Sequence, residues 1–247
     1  MKEKKKSGFR ETVETIVYAV LIAVLVRTFA YEPFNIPSGS MIPTLWVGDY
    51  LFVSKFSYGY SRHSFPFSLP LFSGRVFFSE PERGDIAVFK LPRDDETDYI
   101  KRIIGLPGDK IQVISGVLHV NGEPVRRRRI EDYALTDNGR VIRRTQQYVE
   151  TLPGGHRHLL IEEEGDSGRL DNTPVYTVPK KHYFAMGDNR DNSQDSRVLE
   201  LVGFIPAENL VGRAEILFFS SNGSARIWEV WKWPGAIRFS RLFQKIN

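Results

Sequence analysis

Two serines flank a single glycine in Pro37-Ser38-Gly39-Ser40-Met41-Ile42-Pro43-Thr44-Leu45, with Gly48-Asp49 close behind. The prolines fix φ and limit how far the segment can flex, and Gly39 lets a backbone or a substrate strand come close. Such stiffness suits a hydroxyl nucleophile that must be held at an attack angle. The same composition also suits a linker, and the segment alone does not choose between the two.

Lys101 supplies a second reactive group. In Asp98-Tyr99-Ile100-Lys101-Arg102-Ile103-Ile104-Gly105-Leu106-Pro107-Gly108-Asp109, strand alternation puts Tyr99, Lys101 and Ile103 on one face and Ile100, Arg102 and Ile104 on the other. Desolvating a lysine costs free energy, and burial lowers its pKa because the charged form is the one disfavoured. At an ordinary pKa near 10.4, only about 0.4% of the amine is neutral at pH 8; a fall of about two units raises that to roughly 30%, at a cost of about 2.7 kcal/mol. An edge lysine pointing to solvent is the alternative.

The third segment, Met186-Gly187-Asp188-Asn189-Arg190-Asp191-Asn192-Ser193-Gln194-Asp195-Ser196-Arg197, is dense in polar groups after the apolar run HYFAM. Asp188, Asp191 and Asp195 could act as calcium ligands, but the sixth-position glycine and twelfth-position Glu of an EF-hand loop are missing. A solvated loop or an internal polar network with Arg197 paired to Asp195 fits better. Arg83-Gly84-Asp85-Ile86-Ala87-Val88-Phe89-Lys90 is a turn entering an alternating strand, and by itself only scaffold.

Other chemistries have less support. The five histidines (63, 119, 156, 158 and 182) lie outside these segments, and no nucleophile-elbow G-x-S-x-G is present. Gly165-Asp166-Ser167-Gly168 resembles the nucleophile segment of chymotrypsin-like proteases but continues with Arg169 inside a charged stretch. His156 and His158 could share a strand face and bind a metal; following Gly154-Gly155, they are expected at the surface. Cysteine is absent, which removes thiol nucleophiles, Cys-based zinc sites, iron–sulfur clusters and disulfides.

The elements that must position these groups are a membrane segment and a β body. The net charge is +4, and residues 1–10, with five basic residues and Glu3, account for all of it. The balanced remainder argues against nucleic acid. Thr12 to Tyr31 holds an eleven-residue uncharged centre, Ile16 to Val26, and reaches about twenty residues if Glu14 and Arg27 lie at the two interfaces. Lysines before it favour a cytoplasmic N-terminus. A cleaved secretory signal is the alternative, although Thr28-Phe29-Ala30 is a poor cleavage site. Beyond it, Tyr50–Val53, Asp85–Lys90, Ile111–Ile114, Val117–Val120 and Tyr183–Met186 have strand composition, and Ser115-Gly116 and Asn121-Gly122 bracket the hairpin run VLHV. The fold class is therefore mainly β. The expected layout is a basic tail over 1–11, a transmembrane anchor over 12–31 and a β catalytic region over 32–247. Within the latter, a core over about 32–59, 84–110 and 183–247 would carry an inserted lobe over about 111–182. RRRR at 126–129 and EEE at 162–164 are expected to be solvated charge runs.

In this order, YEPFNIPSGSMIPTLWVGD, RGDIAVFK, DYIKRIIGLPGD and MGDNRDNSQDSR resemble the bacterial type I signal peptidases, the leader peptidases of the Ser–Lys serine protease class. The resemblance covers roughly a quarter of the chain and begins just after a membrane helix. It implies Ser40 as nucleophile and Lys101 as general base, with the Ser38 hydroxyl and the Ser40 N–H as the oxyanion hole. It also implies that Ser193 orients the lysine, that Gly187 leaves room beside it, and that Asp195 and Arg197 form a structural ion pair. Phe34, Ile36, Pro37, Met41, Tyr99 and Ile100 would lie around shallow pockets for the −1 and −3 side chains, so that cleavage follows small-x-small sites. The implied substrates are the signal peptides of exported preproteins. The implied setting is the bacterial inner (cytoplasmic) membrane, crossed once, with the body on the outer, periplasmic face near the export machinery. No cofactor or metal is expected.

Ser40 lies nine residues after Tyr31, so at about 3.3 Å per extended residue it stays within roughly 30 Å of the helix end. Aromatic stretches at 64–78 and 228–243 could rest in the membrane interface or belong to the core. Three competing functions remain: a self-cleaving Ser–Lys regulator, a membrane-tethered binding module without catalysis, and an anionic-lipid or RNA binder. The anchor opposes the first, retention of Ser40, Lys101 and Ser193 opposes the second, and the neutral body opposes the third.

Overall fold

Helix α1 (Gly8–Phe29) is long enough, at about 1.5 Å per residue, to cross roughly 30 Å of hydrocarbon. Its Ile16, Tyr18, Val20, Leu21 and Leu25 are all exposed, so its apolar surface is not buried against the body. In composition and length it is the one described helix able to span a membrane. The structure, a computed structural model, describes residues 8–69, 72–137 and 140–246. Most of the expected basic tail, residues 1–7, and residues 70 and 71 of the first aromatic stretch lie outside the described residues.

After α1 come β1 (Tyr31–Asn35), β2 (Asp49–Ser54), β3 (Ile86–Lys90) and β4 (Asp98–Gly105). The next stretch holds β5 (Lys110–Ile114), β6 (Val117–Val120), β7 (Glu123–Pro124), β8 (Arg126–Arg129), β9 (Tyr133–Asp137), β10 (Arg140–Thr151), β11 (Arg157–Glu162) and β12 (Tyr176–Thr177). The chain then returns through β13 (His182–Met186), β14 (Ile205–Pro206) and β15 (Leu210–Ser220). A seven-stranded sheet has the order β1-β2-β15-β3-β4-β13-β14; β11-β10-β8, with β9 on β10, and β12-β5-β6-β7 form two four-stranded sheets. The fold is mainly β, as its composition of short alternating runs leads one to expect. The two hairpin turns around β6 follow from their residues: Ser115, Gly116, Asn121 and Gly122 all have positive φ, the left-handed geometry of tight hairpin turns.

The sheet order places the reactive segments together. The turn carrying Ser40 joins β1 to β2, while Lys101 lies on β4, paired with Ala87 of β3. β13 lies on the other side of β4, with Met186 opposite Arg102, and beyond it the chain enters the polar loop 187–197. Apolar clusters pack both faces: Ile36, Met41, Leu45, Leu51, Val88 and Leu217 in one, and Phe89, Ile103, Tyr183, Ala185 and Leu210 in another. Each of these contacts removes apolar area from water, worth about 25 cal/mol per Å².

Two charge readings need correction. Glu162 is only 1% exposed and His158 5%, so neither is a solvated surface group. They lie on β11, one face of which closes over the polar loop through a bridge between Ile161 and Asn189. His156 is half-buried, 3.2 Å from Arg102. On the neighbouring β10, Glu150 is fully buried and takes a bidentate ion pair from Arg190, at 2.6 and 3.2 Å. Burial opposes ionisation of Glu150, but Arg190 beside it prevails and holds the carboxyl below its usual range. Removing one member strands the other charge in the interior. Glu150→Ala is therefore expected to destabilise the protein by about 3–5 kcal/mol, whereas the double change Glu150→Leu with Arg190→Met should be far milder. Thermal and denaturant unfolding of the detergent-solubilised proteins measures both.

Candidate active site

Lys101 Nζ lies 2.7 Å from Ser40 Oγ and donates to the Ile100 carbonyl at 3.0 Å. Ser40 is 7% exposed and Lys101 4%. Burial lowers the lysine pKa to about 8; Asp195 and Asp188 pull it up and Arg197 pushes it down, but desolvation is the largest influence. A neutral amine has two N–H bonds and one lone pair. With one N–H on Ile100 O, its lone pair can take the Ser40 proton, which is the arrangement general-base activation of a hydroxyl needs.

The polar loop supplies the space around this pair. A Cβ on Gly187 would fall 2.5 Å from Ser40 O and closer still to Ser193 Oγ, so no side chain fits there. Gly187 N–H donates to Asp195 Oδ2 at 3.0 Å, and Arg197 grips the same carboxylate through Nε and Nη2, both at 2.9 Å. Arg197 opposes the burial of Asp195 and keeps it ionised. Ser193 is buried, but its hydroxyl makes no hydrogen bond to Lys101 and has no partner in ordinary geometry among the described residues.

Arg102, Asp188 and Thr44 form a support that the sequence reading left without a role. Arg102, 0% exposed, pairs with Asp188 through Nε at 2.9 Å and Nη2 at 2.8 Å, and donates from Nη1 to Gly84 O at 2.7 Å. Thr44 Oγ1 donates to Asp188 Oδ2 at 2.5 Å. This ties the serine segment, β4 and the polar loop together. The signal was present in the alternation of YIKRII, which turns Arg102 away from Lys101 and into the interior. Asp188 and Asp195 each face an arginine and do not converge with Asp191 as calcium ligands. Glu162, Asp171 and Asp191 instead bring carboxylate oxygens within 4.8 Å of one another. Burial, with Asp191 and Asp171 adding to it against Arg190, pushes Glu162 up to about 8, so a proton on Glu162 relieves the crowding at neutral pH.

A groove of about 570 Å³ opens beside Ser40 and Lys101. Pro37, Ser38, Tyr99 and Ile100 line it, together with Thr97, Asp98, Arg169 and Gln194, which the sequence reading did not single out. Ser38 Oγ is 3.4 Å from Ser40 Oγ. Ile36 and Met41 are 2% and 0% exposed and pack in the core, so they have no free surface in this groove. Phe34 is half-buried on the same cluster and faces a separate polar cavity with Lys55 and Arg27. Ser167 is exposed in a short 3-10 turn, its Oγ bonded to Glu164 O. Phe77, Trp228, Trp231, Phe239 and Phe243 are exposed rather than core.

Residues 9–219 match the family described as signal peptidase, peptidase S26. Signal peptidase I of Rickettsia typhi is 38% identical over 98% of this chain and 96% of its own, and that of Rickettsia conorii is 40% identical over 94% and 91%. A crystal structure of a signal peptidase I from Enterococcus faecalis V583 is 26% identical, covering 55% of this chain and 97% of its own, with a TM-score of 0.32, too low an overlap to bear on this arrangement. The match across most of the length of both chain and relatives makes this protein a member of the signal peptidase family, peptidase S26.

Proposed function

We propose that Ser40 is the nucleophile and Lys101 the general base of this signal peptidase, working through an acyl-enzyme. The observation that carries the reading is the 2.7 Å approach of a buried, pKa-depressed amine to a buried serine hydroxyl. Lys101 takes the Ser40 proton as Oγ attacks the scissile carbonyl. The Ser40 N–H and the Ser38 hydroxyl receive the developing oxyanion. The resulting ammonium gives its proton to the departing amine, and Lys101 then activates water to release the acyl group. The groove lined by Pro37, Tyr99 and Ile100 would admit small side chains, in keeping with small-x-small cleavage sites. The substrate strand would add its backbone beside β4.

The substrates are preproteins bearing signal peptides. Helix α1 would anchor the enzyme in the inner membrane with its N-terminus cytoplasmic, leaving the body on the outer face near the export machinery. The exposed Trp228, Trp231 and Phe77 are suited to that interface. Neither a metal nor a cofactor enters the steps proposed.

Three outcomes test this. Ser40→Ala and Lys101→Met should each reduce cleavage of a preprotein by about 10³-fold or more without unfolding the protein. Full activity of purified Lys101→Met would remove the lysine from the chemistry. The second is the pH profile: kcat/KM should rise through an apparent pKa near the lysine's value of about 8. A profile already flat from pH 5 upward, as a carboxylate base gives, would contradict it. The third is stability. The folded pKa lies below the unfolded one, so the buried amine is destabilising below about pH 8, by on the order of 3 kcal/mol, and this penalty fades as pH rises toward the unfolded value near 10.4. Lys101→Met should therefore raise the melting temperature at pH 7 and lose that advantage at pH 10. A variant no more stable than the parent at pH 7 would show that the lysine is not held desolvated.

A further inference from the structure

Asn189 holds the serine segment at two points. Its backbone N–H donates to Ser40 O at 3.1 Å, and its Nδ2 donates to Gly39 O at 3.3 Å. The second Nδ2 proton goes to Glu163 Oε1 at 2.8 Å. Glu163, just past β11, is itself held by Arg143 Nη1 at 2.8 Å. Both neighbours of Nδ2 are acceptors, so only one orientation of the amide satisfies them. Asn189 keeps that orientation although its Oδ1, in a residue 1% exposed, is left without a hydrogen-bond partner among the described residues.

The C=O and N–H of one trans peptide point in opposite directions. The Gly39–Ser40 peptide is trans. Fixing Gly39 O on Asn189 therefore aims the Ser40 N–H away from Asn189, and that N–H donates to no group among the described residues. Gly39 O also accepts from Ile42 N–H at 3.2 Å, which shapes the turn but does not tie it to the rest of the site. We propose that Asn189 is a positioning residue for the oxyanion hole, orienting the Ser40 N–H through the Gly39 carbonyl, and that Glu163 keeps the Asn189 amide in the donating orientation. This rests on the reading of Ser40 as nucleophile and of its N–H as an oxyanion donor.

The test uses the full chain in detergent micelles and a signal-peptide substrate. Asn189→Ala should lower kcat by about 10- to 100-fold with KM changed by less than about twofold. The midpoint of its pH profile should stay where the parent's is, because Lys101 is untouched. A peptide aldehyde ending in Ala-x-Ala, whose adduct carries the oxyanion, should bind about tenfold more weakly, while the corresponding peptide alcohol binds as before. Glu163→Ala should move kcat in the same direction, and Glu163→Gln, which keeps an acceptor, should restore it. Unchanged kcat in Asn189→Ala, equal losses for aldehyde and alcohol, or a pH midpoint shifted by a full unit would each overturn the inference. If Asn189→Ala fails to fold, the Glu163 pair decides: equal activity of Ala and Gln there sinks it. Ser40→Ala separates the two failures. An active Ser40→Ala defeats the nucleophile assignment itself, whereas an inactive one beside a fully active Asn189→Ala defeats only the positioning role.

Discussion

Lys101 is a cation placed where it gains little from being charged. Five other lysine and arginine side chains are buried among the described residues, and each has a carboxylate: Lys55 has Glu32, Arg102 has Asp188, Arg190 has Glu150, Arg197 has Asp195 and Arg241 has Asp49. Lys101 has a serine hydroxyl and a backbone carbonyl instead. Desolvation therefore acts on it with little to oppose it, and its pKa falls to about 8. Asp195 and Asp188 are close enough to pull it back up, but both are already engaged by arginines. Among the buried lysines and arginines of the described residues, this amine is the one without a carboxylate partner, which is the condition the proposed general base requires.

Lys55 makes the comparison concrete. It is as buried as Lys101 and burial likewise lowers its pKa, yet a bridge to Glu32 at 2.8 Å supports its charged form and Ser64 O takes another proton. An ion pair of that kind holds structure together. An amine next to a serine hydroxyl, with no carboxylate beside it, can exchange a proton with that hydroxyl. On the proposed reading, the difference between a structural and a reactive lysine here is one carboxylate.

How much of this was legible in the sequence follows from the range of each interaction. Local patterns carried far: the alternation in YIKRII, the VLHV hairpin and the apolar segment after the basic tail correspond to β4, the β5–β6–β7 turns and α1. The resemblance brought Ser40 and Lys101 into one hypothesis, but their proximity spans 61 positions and depends on the β2-β15-β3-β4 order. Buried charges were the least legible. His158 and Glu162 sit in a charged stretch that reads as solvent-facing, and only their non-local partners reveal otherwise. The resemblance put Ile36 and Met41 around the substrate pockets, and nothing in their side-chain type shows that the core already covers that side of the turn. Ser193 shows the opposite limit: its place beside Lys101 in the hypothesis did not supply a hydrogen bond to it.

The strands after β4 bear directly on the chemistry, because β11 is bonded to the loop that walls the lysine. Ile161 N–H donates to Asp188 O at 2.9 Å, and Arg190 N–H donates to Ile161 O at 3.0 Å, bracketing Asn189 between two backbone bonds. Glu150 on β10 holds the Arg190 side chain at the same level. These backbone and side-chain bonds hold the loop that places Gly187 against Ser40, and reaction rates are sensitive to displacements of about an ångström. The second set of strands thus braces the loop beside Ser40 and Lys101 without contributing either residue.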